Sequence, residues 1–339
     1  MKHLFIATDA NLGQGGIQTW AYYIIKLFHY KNLKLDAFIV NRTGRLRRLI
    51  NILRINNEYE SIILMDINKI KYLPVTLLLN LLGFQKNKII LLIHGDEILS
   101  LSGIKKSFVS YILKNINIKI IANSNSTSKS FLDKFHIECD NIYHPFIDCK
   151  IDYKYKENIK KNEYTIFTVS RLVKRKNIEN VILAVEKLIQ KKYNIKYFIA
   201  GDGPEYNRLS NLIKEMNLNE KIHMLGKISE DKKLMYLANC DLFVLPSIFI
   251  EGESMEGFGI VFIEANIFGV PVISGNSGGM KEAVVENITG FYSDGTVHDI
   301  MEKIEMAMRF NFSKDEIKKH SLKFDYRNQD NFLKIIMGD

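Results

Sequence analysis

Short runs rich in isoleucine and valine alternate with longer stretches whose apolar residues recur three and four positions apart, and this alternation runs the length of the chain. Continuous apolar runs mark strands covered on both faces. Amphipathic stretches between them mark the covering helices, so the pattern predicts an α/β architecture with doubly wound parallel sheets. In the first half, strands are predicted near 3–8, 34–40, 61–65, 88–93, 118–122 and 141–144. The second half repeats the scheme near 164–169, 195–200, 221–225, 241–245 and 270–274, and a helical region follows from about 296.

A chain of 339 residues exceeds the size at which one hydrophobic core keeps growing, so two domains are expected. The charged stretch "DCKIDYKYKENIKKNE" (148–163) lacks apolar periodicity and reads as the linker, with one domain over 1–150 and the next from 151. Two such domains would form a cleft, and ligands of doubly wound sheets bind beyond the carboxyl ends of the strands. The loops after strands are where chemistry is expected.

Composition narrows the setting. No apolar run reaches the roughly 18 residues of a membrane span, the longest candidate being "YLPVTLLLNLLGF" (72–84). The opening "MKHLFIATDA" reads as a strand rather than a signal peptide, so a cytoplasmic location is expected. Cys139, Cys149 and Cys240 lack metal or C-x-x-C spacing and read as buried thiols. The net charge of +9 favours anionic partners. Its basic residues form short clusters, with no long basic tail, and no nucleic-acid partner is expected. "GRLRRLINILR" (44–54) predicts a helix flanked by arginines. Such a helix can lie on an anionic membrane surface or simply present a solvated basic face.

The strand-end loops hold the candidate chemistry. After the first strand, "GQGGIQTW" places Gly13, Gly15 and Gly16 before a helix, either for close approach to an anion or for a tight turn. After the fourth, "LLIHGDE" sets His94 at a strand end, as a structural or a ligand-facing residue. "SRLVKRKN" carries Arg171 and Lys176, a pair able to clamp a diphosphate, with Lys174 and Arg175 read as solvated. Arg171 is expected to be embedded against the strand.

"EGESMEGFGIVFIEA" (251–265) is the centre of the candidate site. Gly257 and Gly259 permit close approach, so the amides of Phe258, Gly259, Ile260 and Val261 can meet a phosphate at a helix start. Glu256 precedes that helix and Glu264 lies on its second turn. Eight helical residues span about 12 Å, wider than the roughly 5–9.5 Å between a glycosidase's two carboxylates. The spacing suits a ligand lying across the helix start. Glu251 and Glu253 read as solvated. Downstream, "GNSGG" (275–279) matches the G-x-S-x-G nucleophile elbow, for which Asp294 or Asp299 and His320 could complete a hydrolase triad. That reading leaves Arg171, Lys176 and Glu264 without a role.

Taken together, "SRLVKRKN", "AGDGPEYNRL", "MLGKIS", "CDLFVLPS", "EGFGIVFIEA", "GVPVIS", "SGGMKEAV" and "NITGFY" resemble, in order and spacing, the retaining nucleotide-sugar glycosyltransferases of family 4. The likeness is strong over 165–292 and weaker in "GQGGIQTW", "IHGDE", "IIANSNSTSKSF" and "IYHPFID". It implies a GT-B fold: two Rossmann-like domains facing across a cleft, an acceptor domain over 1–150, a nucleotide-sugar donor domain over 151–312, and a terminal helix over 313–339 returning to the first domain. It also implies that Arg171 and Lys176 neutralise the donor diphosphate, that Glu264 binds the ribose and that Glu256 faces the transferred sugar. Phe258 to Val261 would hold sugar and phosphate oxygens with their amides, and the base would lie against backbone around Leu225 to Lys227. Gly16 would approach the diphosphate, and His94 would contact the sugar.

On this resemblance the expected activity is retaining transfer of a hexose or N-acetylhexosamine from a UDP- or GDP-sugar. Its acceptor would be a lipid-linked bacterial surface glycan (lipopolysaccharide, O-antigen or capsule), reached from the inner face of the cytoplasmic membrane. No metal or other cofactor is expected, since cations and the helix dipole would stabilise the leaving diphosphate. The alternatives are a GT-B nucleotide-sugar epimerase or a non-catalytic nucleotide-sugar-binding protein. Two departures stand out: "IFIEGESM" lengthens the loop before Glu-Gly-Phe-Gly, and Gln18 stands where many relatives have glutamate.

Overall fold

The computed structural model describes residues 2–12, 15–39, 59–72, 88–151, 155, 162–250 and 256–338. Gly13, the 44–54 helix, most of the 72–84 segment, most of the 148–163 linker, Glu251 and Glu253 lie outside the described residues. The chain divides into two compact units. One comprises Met1–Asp148 with Asp325–Asp339, the other Cys149–Phe324.

The first unit is built on strands β1 (Lys2–Ala7), β2 (Lys34–Ile39), β3 (Ser61–Leu64), β4 (Lys88–Ile93), β5 (Ile118–Ala122) and β6 (Asn141–Ile142). They form one parallel sheet in the order β2-β1-β3-β4-β5-β6. Its helices are α1 (Gly16–Tyr30), α2 (Asp96–Leu99), α3 (Gly103–Asn115) and α4 (Asn125–Phe135). β4, "KIILLI", is buried from its second residue onward, as expected of a strand covered on both faces. Helix α1 buries Trp20, Ile24, Leu27 and Phe28 at helical spacing against this sheet.

The second unit carries β7 (Tyr164–Val169), β8 (Ile195–Ala200), β9 (Ile222–Gly226), β10 (Leu242–Leu245), β11 (Val272–Gly275) and β12 (Gly290–Ser293). All pair parallel, in the order β12-β11-β10-β7-β8-β9. Helices α5 (Ile178–Gln190), α6 (Tyr206–Glu215), α7 (Glu230–Asn239), α8 (Ile260–Ile267), α9 (Met280–Ala283), α10 (Val297–Arg309) and α11 (Lys314–Ser321) connect or follow them. Serine and threonine hydroxyls start three of these helices: Ser229 accepts from the Lys232 amide, Thr296 from Asp299 and Ser313 from Glu316. β12 is absent from the sequence reading because its four residues, "GFYS", are too short to show a period between turn residues.

The terminal segment assigned from 313 onward to the first domain divides at Phe324. Helix α11 remains with the second unit, where Ile317 is fully buried, His320 Nε2 lies 3.1 Å from the Ala283 carbonyl and the Phe324 ring sits 5.5 Å from Phe258. Only the chain beyond it joins the first unit. There Tyr326 donates its amide to Ile147 at 2.8 Å, and helix α12 (Asp330–Met337) sets Phe332 against Phe146 and Trp20. Burial of these aromatic faces decides the division.

Candidate functional site

In the second sheet β7 and β10 are neighbours although β8 and β9 intervene in sequence, so the strand order reverses between them. Such a switch point opens a crevice beyond the strand ends, where doubly wound sheets bind ligands. The loop after β7 carries Arg171, Arg175 and Lys176, and the loop after β10 carries Glu256 to Gly259.

The first of these loops closes as a short 3₁₀ turn over Lys174–Lys176 and ends at Asn177, whose φ of 58° reverses the chain into α5. The Asn177 side-chain Nδ2 donates to the Gly295 carbonyl at 2.7 Å, and the Ile248 backbone amide donates to the Arg175 carbonyl at 2.8 Å. This turn aims Arg175 and Lys176 inward. Their side chains are 11% and 8% exposed, while Arg171 is exposed and pairs with no carboxylate among the described residues. The expected roles of Arg171 and Arg175 as embedded and solvated cations are therefore reversed, because position 175 in the 3₁₀ turn is directed onto the Glu256 carboxylate.

Both inward cations converge on Glu256. Arg175 Nη1 lies 3.1 Å from Oε2, and Lys176 Nζ donates to the same oxygen. Burial alone would push the Glu256 carboxyl up, but the adjacent ammonium and guanidinium outweigh it and hold the carboxyl below the ordinary glutamate value. The Glu256 main chain is fixed too, since its carbonyl accepts the Gly279 amide at 3.1 Å. Gly278, at φ 64°, passes so close that a Cβ there would stand 2.7 Å from this carbonyl. The glycines of "GNSGG" thus serve close backbone packing, Gly278 against Glu256, Gly279 against Gly257 and Gly275 against Ser247. His320 is held against Ala283, Asp294 accepts the Thr296 amide and Asp299 accepts the Asp294 amide, so no Ser-His-Asp triad forms.

Gly257 is half-buried, Phe258 is buried, and Gly259 caps α8 at φ 90° with no side-chain capping bond. The first amides of a helix have no partner within it, so those of Ile260 and Val261 are available at the start of α8, just after Glu256 in the chain. Glu264, one turn further on, is 7% exposed and accepts from Lys233 Nζ at 2.7 Å. Lys233 also pairs with Glu230 at 2.8 Å. Burial raises the Glu230 carboxyl, with the Glu264 charge adding to it, whereas for Lys233 the two carboxylates overcome burial and raise the ammonium. Leu225 lies half-buried near the end of β9, just before α7. Beside the β7 turn, a cavity of about 400 Å³ is lined by Lys174, Asn177, Glu205, Arg208 and Ile248, among others.

In the first unit, Gly16 is exposed at the first position of α1, just past β1. His94 immediately follows β4 and is buried, its Nε2 2.5 Å from the Met65 carbonyl and its ring edge-on to Trp20. Desolvation pushes the imidazole down to about 4, so it stays neutral and Nε2 is the donor to Met65. Lys69 is also buried at these strand ends, bonded to the Thr8 hydroxyl and 3.0 Å from Asp66. Sequence reasoning missed Arg175, Lys233, Glu230 and this lysine pair. The i, i+3 spacings of Glu230 with Lys233 and of Asp66 with Lys69 were the local signals for them.

Residues 150–324 match the family model described as Glycosyl transferases group 1. The GDP-mannose-dependent alpha-(1-6)-phosphatidylinositol monomannoside mannosyltransferase of Mycobacterium tuberculosis is 35% identical over 132 residues, which cover 39% of this chain and 34% of that protein. The O-antigen biosynthesis glycosyltransferase WclY of Escherichia coli is 32% identical over 127 residues, 38% of this chain and 33% of that protein. The matches thus span about a third of these relatives. The apo lipopolysaccharide outer core galactosyltransferase WaaB superposes with a TM-score of 0.71 at 17% identity, covering 100% of this chain and 99% of that one. The fold is GT-B.

Proposed function

The chain belongs to the family of group 1 glycosyl transferases, and from that premise we propose that it moves a hexose or N-acetylhexosamine from a UDP- or GDP-sugar to a lipid-linked bacterial surface glycan with retention of configuration. The observation that carries this reading is the convergence of Lys176 and Arg175 on Glu256 at the switch point of the second sheet, beside the open amides of α8. A diphosphate at that place would meet the Lys176 ammonium, the exposed Arg171 guanidinium and the positive end of a helix. Those charges would stabilise the leaving group without a metal ion.

In this scheme Glu264 takes the ribose hydroxyls, Glu256 a hydroxyl of the sugar, and the backbone after Leu225 the base. The acceptor hydroxyl approaches on the face from which the diphosphate departs. As the bond from C1 to the phosphate oxygen breaks and the bond from C1 to the acceptor oxygen forms, the acceptor's proton passes to the leaving phosphate. No protein nucleophile takes part. The acceptor is assigned to the strand-end loops of the first unit.

Thermal stabilisation against a panel of UDP-, GDP- and ADP-sugars tests the donor, and turnover with and without membrane extracts carrying lipid-linked glycans tests the acceptor. Stabilisation by one nucleotide and acceptor-dependent consumption of its sugar are expected. Interconversion of the free nucleotide sugar would identify an epimerase instead. Absence of any nucleotide response would overturn the reading.

A further inference from the structure

Glu256 Oε2 accepts two cations, Arg175 Nη1 at 3.1 Å and Lys176 Nζ, and all three side chains are at most 17% exposed. A nucleoside diphosphate entering beside α8 would compete for the Lys176 ammonium. A buried carboxylate stripped of its only cation is strongly disfavoured, so the transfer of Lys176 to phosphate needs a second cation that stays behind. Arg175 is built to stay. Its carbonyl accepts the Ile248 amide at 2.8 Å, which ties it to the start of the loop carrying Glu256.

Resting on the donor-site reading above, we propose that Arg175 is a positioning residue for Glu256, holding that carboxylate in place while Lys176 leaves it for the donor diphosphate. Arg175 then never touches phosphate. Its effect on the donor passes entirely through Glu256. Lysine at this position would retain the charge but not the planar reach of the guanidinium, and would restore part of the function.

A double-mutant cycle in the full chain separates this role from direct phosphate binding. UDP, GDP and ADP without sugar are titrated calorimetrically into the wild type, Arg175→Met, Glu256→Gln and the double variant, and kcat and KM are measured with the preferred nucleotide sugar. Arg175→Met should weaken nucleoside diphosphate binding about tenfold and lower kcat, because Lys176 is then the sole partner of Glu256. In the Glu256→Gln background the same change should alter binding less than twofold, and Arg175→Lys should recover part of the loss. Equal losses in both backgrounds would make Arg175 a phosphate ligand and overturn the proposal, as would no loss in either. If Arg175→Met fails to fold, Arg175→Lys and Arg175→Gln are carried through the same cycle. Lys176→Met serves as the control for the donor site: undiminished binding in that variant would refute the donor-site reading itself, whatever Arg175 does.

Discussion

Lys233 Nζ lies 2.7 Å from Glu264 Oε1, and this ion pair links α7 to α8 within the second unit. The same ammonium holds Glu230 at 2.8 Å, so one cation serves two carboxylates in a setting where Lys233 and Glu264 are both about nine-tenths buried. It fixes the carboxylate proposed to read the ribose.

Replacing Lys233 with methionine keeps the volume and removes the charge, leaving the buried Glu264 carboxylate and the half-buried Glu230 carboxylate without their shared cation. Loss of one partner of a buried pair costs about 3–5 kcal/mol. A lowered urea midpoint is expected together with weaker binding of ribonucleotides. An unchanged midpoint would show that the pair is not stabilising.

Lys176→Ala tests the donor cations directly. With Arg175 still paired to Glu256, the variant should fold, while transfer falls by about 10² to 10³ or more, the scale of losing one preorganised group at developing charge. Wild-type turnover in a folded Lys176→Ala protein would remove the diphosphate role.

Apart from β12, the strands and the positions of the strand-end loops were legible in the sequence because continuous apolar runs such as "IILLI" and "LFVL" mark strands covered on both faces. Glu256, just before α8, and Glu264, on it, were legible through a short local spacing in the sequence. Arg175 was not, because its direction depends on a left-handed Asn177 and on Gly295, more than a hundred residues away. Lys233 was hidden for a similar reason: its partner Glu264 stands on a different helix, and no local pattern records a contact between helices. The split at Phe324 follows from Phe324 packing against Phe258 while Phe332, a few residues on, packs against Phe146, which is equally non-local.

Gly259→Ala should destabilise the second unit and disturb donor binding together. At φ 90° an L-residue is strained by about 1–3 kcal/mol, and its Cβ would stand 2.6 Å from the Phe262 ring. Relief requires the start of α8 to move, displacing the amides of Ile260 and Val261. Parallel losses in melting temperature and nucleotide affinity are expected. A loss of stability with wild-type affinity would show that these amides are not part of the site.

His94 supplies a pH signature whose sign is fixed by its environment. Its folded-state value is pushed down to about 4, whereas an unfolded imidazole titrates near 6.5. Between those values the unfolded chain binds the extra proton, so stability is full above about 6.5 and is lost as pH falls toward 4. Other buried imidazoles, such as those of His3 and His320, are lowered as well and add to the slope, so the test is a difference. His94→Gln retains a donor that can reach the Met65 carbonyl but cannot take up the proton. Urea unfolding of both proteins at pH 7, 6, 5 and 4.5 should show the wild type losing stability relative to the variant by up to about 1.4 kcal/mol per pH unit through this window. Parallel curves would mean that His94 is not held neutral by burial, and a gap that widens in the opposite sense would place a carboxylate beside the ring.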